Sequence, residues 1–418
     1  MILKSKKLIF ISFIILIIFY LVIFLNYDFF YYKAKKIYHK LPGDIKSVIL
    51  LTFNKKSYKN IDNDYNISFL PETQLINFDY TVKDMSFDDG LFDYSRLYTY
   101  YIDILKNYII ITTRQGNFYK ANIESIFEKK NKIEKIKFKT NIKIEEILDI
   151  LIVDSNLFVS ASRSIDNCKK LIIYQSKIEI DSNNLNFKIF KEFDECAASI
   201  GAGRMQPLTF KTNKGILIST GGSGLGKAKS VDYAQDDNSI FGKTIFIDFE
   251  NNDHFVYSKG HRNVQGLFVK DNNVFATEHG PRGGDEFNKI IFEKNYGWPI
   301  SSYGVPYDVK SPKYKRSHSR YGFQEPIYSF NPAIGISELY LIPSDFDENW
   351  ENSILVTSLN GKKINRLQFQ SNEYKDIVYV EPIYIGQRIR DIKYLKNKKT
   401  FLLALETYGE LGVLIKKD

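Results

Sequence analysis

The sequence predicts an all-β fold, and a β-propeller in particular, from the length and spacing of its apolar stretches. Beyond residue 46 these stretches are four to seven residues long and are separated by turns rich in Asn, Asp, Gly and Lys. No long stretch has the 3.6-residue periodicity of an amphipathic helix. Short strands at regular spacing are typical of sandwiches, barrels and propellers. The clearest examples are Val48–Phe53, Tyr108–Thr113, Leu157–Ser160, Leu171–Tyr174, Gly215–Thr220, Thr244–Asp248, Asn273–Thr277, Ile354–Thr357 and Phe401–Leu405.

The length and composition favour a propeller over a sandwich. The chain has 29 Tyr and 32 Phe and is rich in Ile, which are residues that strands prefer. Roughly 370 residues of short strands run on without a Pro- or Gly-rich linker, and four-stranded blades would divide them into six of about 60 residues. The repeats are too divergent to align with one another by eye. The number of blades therefore depends on the family resemblance given below.

The net charge of +9 does not indicate nucleic-acid binding. Lys, Asn and Ile are common throughout the chain, so we interpret the charge as a solvated, lysine-rich surface. The sequence contains no motif of a DNA- or RNA-binding module. We expect no nucleic-acid partner.

The N-terminal segment is predicted to anchor the chain in a membrane. Leu8–Leu25 is eighteen residues long and carries no charge. As a helix it would be about 27 Å long, enough to cross the hydrocarbon core of a bilayer. No small-residue cleavage site follows it, which favours an uncleaved signal anchor over a signal peptide. We therefore predict an anchor over residues 1–26, a tether over 27–45 and the propeller over 46–418. Lysines on both sides of the apolar segment leave its orientation open.

The densest group of motif-like residues lies between 260 and 299 and reads GHRNVQGLFVKDNNVFATEHGPRGGDEFNKIIFEKNYGWP. It closely resembles the glucose/sorbosone dehydrogenase family, the pyrroloquinoline-quinone-dependent soluble glucose and aldose sugar dehydrogenases, whose pattern is GHRNPQG, EHGPRGGDE and NYGWP. Ala234–Asp248 and Gly386–Asp391 extend the resemblance. It implies a six-bladed propeller of four-stranded antiparallel blades that lies outside the cytoplasm, in the periplasm of a bacterium. It also implies pyrroloquinoline quinone and Ca²⁺ as cofactors and an aldose-type sugar as substrate.

The chemistry of the cofactor agrees with two arginines near the C-terminus. Pyrroloquinoline quinone is a flat ortho-quinone with three carboxylates, which guanidinium groups bind well. Arg388 and Arg390 are two positions apart, so on a strand both side chains point to the same face. The resemblance adds more residues that would contact the cofactor: Arg262, Asn263, Gln265 and Tyr328. Tyr328 is explained equally well by core packing.

The resemblance also implies two calcium sites. The backbone carbonyls of Gly280 and Pro281 match those that help to hold the catalytic calcium in the family. Asp285, Glu286 and Tyr296 match positions near a second, structural calcium, with Glu286 and Tyr296 the better candidates. Oxygen ligands of this kind are what calcium prefers.

The family pattern is broken at the position of the catalytic base. The family carries a histidine in a His-x-x-Gly-Arg-Leu pattern, and the matching segment here begins at Ile200. Isoleucine cannot accept a proton, and loss of a general base typically costs about 100- to 10,000-fold in rate. The catalytic residue is thus unknown, and His261, His279 and Glu278 are possible substitutes.

Two functional hypotheses follow. The protein is either an exported quinoprotein that oxidises an aldose, or a catalytically silent propeller that binds a carbohydrate or a protein partner. Cys168 and Cys196 would form one disulfide in an exported protein, or remain two buried thiols. His254 and His318 match no motif, and we expect both at the surface.

Overall fold

The computed structural model describes residues 78–416, except for 84–98, 129–132, 139–143, 145, 167, 180, 182–183, 223–232 and 309. The predicted anchor, the predicted tether and the apolar stretch Val48–Phe53 lie outside the described residues. Within the described part, no helix is both long enough and apolar enough to span a bilayer.

The described chain is built almost entirely of β-strands. In chain order they are β1 (Phe78–Lys83), β2 (Tyr100–Leu105), β3 (Tyr108–Thr113), β4 (Phe118–Asn122), β5 (Ile133–Phe138), β6 (Ile147–Val153), β7 (Asn156–Ile165), β8 (Cys168–Lys177), β9 (Asn184–Leu185), β10 (Lys188–Ala197), β11 (Ala202–Phe210), β12 (Asn213–Thr220), β13 (Lys243–Asp248), β14 (His254–Lys259), β15 (Val264–Lys270), β16 (Asn273–Glu278), β17 (Asp285–Ile290), β18 (Tyr328–Phe330), β19 (Ile336–Leu341), β20 (Ser353–Ser358), β21 (Lys363–Phe369), β22 (Ile377–Tyr384), β23 (Ile389–Leu395), β24 (Thr400–Leu405) and β25 (Glu410–Lys416). Short helical segments connect some of them: α1 (Ile123–Phe127) and 3-10 turns at His318–Tyr321, Glu348–Trp350 and Lys396–Lys398.

The strands form six sheets, which are the six blades of a propeller. Blade 1 contains β2–β5, blade 2 contains β6, β7, β8 and β10, and blade 3 contains β11–β14. Blades 4 and 5 contain β15–β18 and β19–β22, and blade 6 contains β23–β25 with β1. The innermost strands β2, β6, β11, β15, β19 and β23 contact one another in a closed ring. The predicted all-β, six-bladed fold with four-stranded antiparallel blades is confirmed. One addition is the two-residue strand β9, which pairs in parallel with β5.

The first described strand closes the ring. β1 pairs antiparallel with β25, so that Phe78 lies opposite Lys416 and Lys83 opposite Leu411. Blade 6 is therefore completed by an early and a late segment of the chain. The pairing protects what would otherwise be an exposed strand edge.

Each interface between neighbouring blades has its own hydrophobic core. Leu208 and Leu217 of blade 3, for example, pack with Leu267 and Ala276 of blade 4. Because the faces of the blades are covered by neighbouring blades, several middle strands, such as β13, β20 and β24, are buried along their whole length. In Thr400–Leu405 every residue is buried. This explains why the predicted apolar stretches from Tyr108 onwards all lie within strands.

The two cysteines form a disulfide. Cys168 and Cys196 lie on neighbouring strands of blade 2, with their Cα atoms 5.7 Å apart. Of the two alternatives, the structure has the disulfide rather than free thiols.

Candidate functional site

Arg204 ties the blades together at the centre of the propeller. It projects from β11 and is only 2% exposed. Its Nη1 lies 3.0 Å from Asp149 of blade 2 and 3.4 Å from Glu338 of blade 5. Asp391 of blade 6 is 3.9 Å away, and the ring of Tyr101 in blade 1 stacks at 4.8 Å. Arg204 is part of the sequence segment that begins at Ile200, and its role is structural.

Arg204 also fixes two backbone carbonyls beneath the predicted cofactor residues. Its Nε donates to the carbonyl of Gln265 at 2.7 Å, and its Nη2 donates to the carbonyl of Arg390 at 2.8 Å. These carbonyls belong to blades 4 and 6. Arg204 therefore contacts all five other blades and holds the backbone of two predicted cofactor residues in place.

Burial disfavours the charged form of the carboxyl groups that lie near the axis of the propeller. It raises the pKa of Glu338 to about 7, although Arg204 opposes the shift. It raises the pKa of Asp103 to about 6, opposed mainly by Lys393. Lys393 lies 3.6 Å from Asp391 and, with Arg204, supplies the positive charge of this axial cluster.

Three of the predicted cofactor residues are joined by hydrogen bonds. Arg390 donates from Nη1 to the side-chain carbonyl of Gln265 at 3.0 Å. Gln265 donates in turn to the side-chain carbonyl of Asn263, also at 3.0 Å. The structure thus brings together residues 125 positions apart in the sequence.

Glu406 joins the two predicted arginines, and the sequence did not reveal it. Arg388 and Arg390 donate from Nε to its two carboxylate oxygens at 2.7 and 2.8 Å. Burial opposes ionisation, but the guanidinium of Arg390 and then that of Arg388 lower the pKa of Glu406 to about 2. Two arginine side chains on one face of a strand need a carboxylate partner when they are buried. The spacing of Arg388 and Arg390 was therefore the one signal in the sequence that a buried Asp or Glu lies nearby.

The arginine cluster, defined here as Asn263, Gln265, Arg388, Arg390 and Glu406, has more positive than negative charge. Among the described residues, the terminal Nη groups of Arg388 have no hydrogen-bond partner, and its side chain is 23% exposed. The cluster can therefore accept an anionic ligand.

Arg262 adds a third guanidinium near the arginine cluster. It donates from Nη1 to the carbonyl of His279 at 2.9 Å, and its guanidinium lies 5.3 Å from the ring centroid of Trp298. Its buried Nε has no partner among the described residues. Arg262 and Arg390 both lie near His279, and guanidiniums in this arrangement suit a ligand with several carboxylates, which is the chemistry of pyrroloquinoline quinone.

Tyr328 does not belong to this cluster. It lies on β18, the outermost strand of blade 4, where it faces Phe287 in register and contacts Phe330 with ring centroids 4.8 Å apart. Its ring packs against the core between blades 4 and 5. Core packing, the second of the two predicted explanations, accounts for it.

Ile200 occupies the expected base position beside the arginine cluster. A Cβ atom on the next residue, Gly201, would lie 3.2 Å from the side-chain oxygen of Asn263. Ile200 itself is 8% exposed and belongs to the hydrophobic core between blades 2 and 3. The side chain at this position is thus a packed apolar one, which cannot accept a proton.

Two of the possible substitute bases are already engaged with each other. Nδ1 of His261 lies 3.0 Å from Glu278, and Nε2 lies 2.7 Å from the hydroxyl of Ser258. The other oxygen of Glu278 accepts a hydrogen bond from the backbone N–H of Arg262. His261 is fully buried and stacks on Tyr296 at 4.6 Å. Both side chains are therefore already engaged in buried contacts.

His279 differs from that pair because one of its ring nitrogens has no hydrogen-bond partner among the described residues. Its backbone N–H donates to the carbonyl of Asn263 at 3.0 Å, which fixes it next to the arginine cluster. Its Nε2 is buried and has no partner among the described residues. Burial lowers the pKa of His279 to about 4, helped by Arg390 and Arg262 and opposed by Asp285. At neutral pH the ring is therefore uncharged, and it is a weaker base than an ordinary imidazole.

The Gly280–Pro281 turn follows directly. Gly280 donates from its backbone N–H to Asp285 at 3.0 Å, and the carbonyl of Pro281 accepts from the hydroxyl of Tyr307 at 2.9 Å. A Cβ on Gly280 would lie 2.2 Å from the carbonyl oxygen of Gly284, so only glycine fits here. The carbonyl of Gly280 takes part in no hydrogen bond within the described chain and fits a hard cation better than that of Pro281. In that same part of the chain, no three His, Cys, Asp or Glu side chains converge as a metal site.

The predicted ligands of the second calcium converge on a histidine. His318 was expected at the surface, and this prediction is wrong, because its side chain is 1% exposed. Its Nδ1 donates to the carbonyl of Tyr296 at 3.0 Å, and its Nε2 lies 3.3 Å from Glu286. Burial opposes protonation, but Glu286 raises the pKa of His318. His254, by contrast, is exposed as predicted.

Comparisons with known proteins agree with the motifs. The family model described as glucose/sorbosone dehydrogenase matches residues 106–413. The chain is 47% identical to quinoprotein glucose dehydrogenase B of Acinetobacter calcoaceticus, over 37% of this chain and 44% of that protein. It is 30% identical to the aldose sugar dehydrogenase YliI of Escherichia coli, over 37% of this chain and 42% of that protein. These matches span about two fifths of the length of each curated relative.

Solved structures share the fold. The apo form of the soluble aldose sugar dehydrogenase of Escherichia coli superposes with a TM-score of 0.66 at 18% identity, covering 81% of this chain and 99% of that one. The pyrroloquinoline-quinone-bound aldose sugar dehydrogenase of Streptomyces coelicolor gives a TM-score of 0.58 at 18% identity, covering 82% and 99%. Together with the family match over most of its length, these findings place the protein in the glucose/sorbosone dehydrogenase family.

Proposed function

We propose that the protein is a quinoprotein that oxidises an aldose-type sugar, with pyrroloquinoline quinone held by the arginine cluster and Arg262. The observation that carries the proposal is the shared carboxylate of Glu406, which aligns Arg388 and Arg390 while the terminal nitrogens of Arg388 stay unpaired. Family membership and the pyrroloquinoline quinone in the Streptomyces coelicolor structure support this choice of ligand.

The residues of this chain would bind, orient and remove a proton. When bound, pyrroloquinoline quinone supplies the two-electron acceptor for oxidation of the anomeric carbon. Arg262, Arg388 and Arg390 would bind its carboxylates, and Asn263 and Gln265 would hold the guanidinium of Arg390 in place. The carbonyls of Gly280 and Pro281 would hold a calcium ion, which would supply a Lewis acid beside the quinone.

His279 is the proton acceptor we propose in place of the missing histidine. It is uncharged at neutral pH, its Nε2 is unpaired, and it immediately precedes Gly280. His261 and Glu278 are bound to each other and to Ser258 and Arg262, so using either would break a buried pair.

We further propose that the protein is anchored by residues 8–25 with the propeller outside the cytoplasm. The disulfide between Cys168 and Cys196 supports an oxidising compartment.

The alternative function is a silent propeller that binds a carbohydrate or a protein partner. Ile200 favours it, because the position that carries the base in the family is filled by a packed isoleucine. Under this alternative the arginine cluster could still bind a ligand, but no sugar would be oxidised.

Turnover separates the two functions. The full chain, purified in mild detergent with Ca²⁺ and pyrroloquinoline quinone, is assayed with a panel of aldoses and an artificial electron acceptor. We expect oxidation that falls about 100- to 10,000-fold in His279→Gln. The matched control is His254→Gln, an exposed histidine on blade 3, which leaves the rate unchanged. Cofactor binding without turnover on any aldose would favour the silent propeller.

A further inference from the structure

We propose that the side chain of His318 takes the place of a structural metal ion in blade 4, so that the protein needs no cation between Glu286 and Tyr296. The family resemblance assigned these two residues to a calcium site. The structure instead gives both of them the same partner, an imidazole ring supplied by the chain. This inference does not depend on the proposed sugar oxidation.

The position of the ring is the first argument. His318 lies between a carboxylate from β17 and a backbone carbonyl from the loop that follows it. Nδ1 of the ring is 3.0 Å from the carbonyl oxygen of Tyr296, and Nε2 is 3.3 Å from Oε1 of Glu286. The contact with Glu286 is close, but it is not an aligned hydrogen bond. Calcium–oxygen distances are about 2.3–2.6 Å, so an ion bound to both oxygens would collide with the ring.

The third predicted ligand is also occupied. Asp285 accepts hydrogen bonds from the backbone N–H groups of Gly280, Ile334 and Ile336, at 2.9–3.0 Å. Its carboxylate thereby ties the Gly280–Pro281 turn to the start of blade 5. It has a structural partner for each oxygen without a metal ion.

The loop between β17 and β18 is shaped to deliver this histidine. His318 begins a 3-10 turn that is bounded by Ser317 and Gly322, both with left-handed backbone angles. The ring packs against that of Tyr303, with centroids 5.1 Å apart. Gly297 lies against the other side, where an added Cβ would be 3.1 Å from Nδ1 of His318. The ring of His318 is thus closely packed between Tyr303 and Gly297.

The buried carboxylate of Glu286 on β17 explains why a buried histidine is tolerated next to it. Glu286 is 6% exposed, and its second oxygen lies 3.4 Å from the amide of Asn288. A buried carboxylate needs a cation or several donors nearby. The imidazole ring of His318 occupies the space beside this carboxylate, where the family resemblance would have a calcium ion.

The test is calcium binding and thermal unfolding of the full chain without pyrroloquinoline quinone. For the wild type we expect Ca²⁺ to change the Tm by the same amount as in Glu286→Gln, and equilibrium dialysis should find the same number of bound calcium ions in both proteins, because an ion held at Gly280 and Pro281 is common to the two. His318→Asn removes the ring and offers an oxygen. We expect its Tm in chelator to fall by about 3 °C or more, and Ca²⁺ to restore at least half of that loss.

Two controls make the result specific. Adding Glu286→Gln to His318→Asn should abolish the rescue by Ca²⁺, and His254→Asn should leave the Tm unchanged in both buffers. If His318→Asn does not fold, dialysis of the wild type decides. Tight calcium in the wild type that is lost in Glu286→Gln would overturn the proposal. Because the cofactor is left out, this outcome is independent of whether the protein is a sugar dehydrogenase.

Discussion

Two regions carry residues of the family motifs, but they differ in the groups that surround their charged side chains. In the arginine cluster, the two guanidiniums of Arg388 and Arg390 share a single buried carboxylate, Glu406, which leaves the cluster with a net positive charge. In blade 4, the carboxylate of Glu286 faces the ring of His318 from the same chain. Retained motif residues alone therefore do not say whether a site still takes its ligand. The groups around the motif residues determine whether the site binds its ligand.

The largest expected effect comes from removing the support beneath the arginine cluster. Arg204→Met leaves Asp149 and Glu338 without their buried partner and should cost about 3–5 kcal/mol of unfolding free energy. It should also weaken pyrroloquinoline quinone binding, because the carbonyls of Gln265 and Arg390 lose their donor. Denaturant unfolding and calorimetric titration measure the two effects.

The matched control for Arg204 is Arg366, another buried arginine. It pairs with Glu381 at 2.7 Å within blade 5, away from the arginine cluster. Arg366→Met should lose comparable stability and keep full cofactor affinity. Equal losses of affinity in both variants would mean that Arg204 acts only through global stability.

The disulfide should affect stability without touching either region. Cys168 and Cys196 close a loop of 28 residues, which in the chain-entropy model stabilises the fold by about 3 kcal/mol. Cys168→Ser with Cys196→Ser should lower the unfolding free energy by that amount and leave cofactor affinity unchanged. A change in affinity would link blade 2 to the site in a way the contacts do not explain.

Glu406 should make stability depend on acidity. Its pKa falls from the usual 4.5 to about 2 in the folded protein, so its stabilisation is present above pH 4.5 and is lost as the pH falls towards 2. The shift corresponds to roughly 3 kcal/mol. Glu406→Gln should therefore be less stable than the wild type at pH 7, and the difference should shrink on acidification. A constant difference between pH 7 and pH 3 would contradict the paired carboxylate.

Arg388 gives the smallest effect on the fold and the cleanest one on binding. Its side chain is the more exposed of the two arginines, at 23% against 12% for Arg390. Arg388→Ala should weaken pyrroloquinoline quinone binding by about 10- to 100-fold, the value of one charge-assisted contact, and should lower the Tm less than Glu406→Gln does, because Arg390 still pairs with Glu406. Unchanged affinity in a calorimetric titration would remove Arg388 from the site.

Much of the fold could be predicted from local sequence. Tyr108–Thr113 is a strand with the predicted ends. The family resemblance assigned Asn263, Gln265 and Arg390 to one site, and in the structure hydrogen bonds join their side chains. Glu406 was missed because it lies alone after β24, and only the three-dimensional pairing reveals its partners.

The error at His318 has a different origin. The residue lies in a loop rich in Lys, Arg and Ser, which reads as solvent-exposed. Its burial results from the loop folding back between Glu286 and Tyr296, a contact across 22 to 32 positions that no local pattern encodes. Tyr328 is similar, because strand register and not spacing decides whether it faces a pocket or a core.

The most direct test of the charge argument compares two forms of one ligand. The full chain in mild detergent with Ca²⁺ is titrated with pyrroloquinoline quinone and, separately, with its trimethyl ester, which keeps the ring system and lacks the three negative charges. The arginine cluster predicts saturable one-to-one binding of the acid and an affinity at least about 100-fold lower for the ester. Equal affinities, or no binding of the acid at saturating concentration, would contradict an anion site at Arg388 and Arg390.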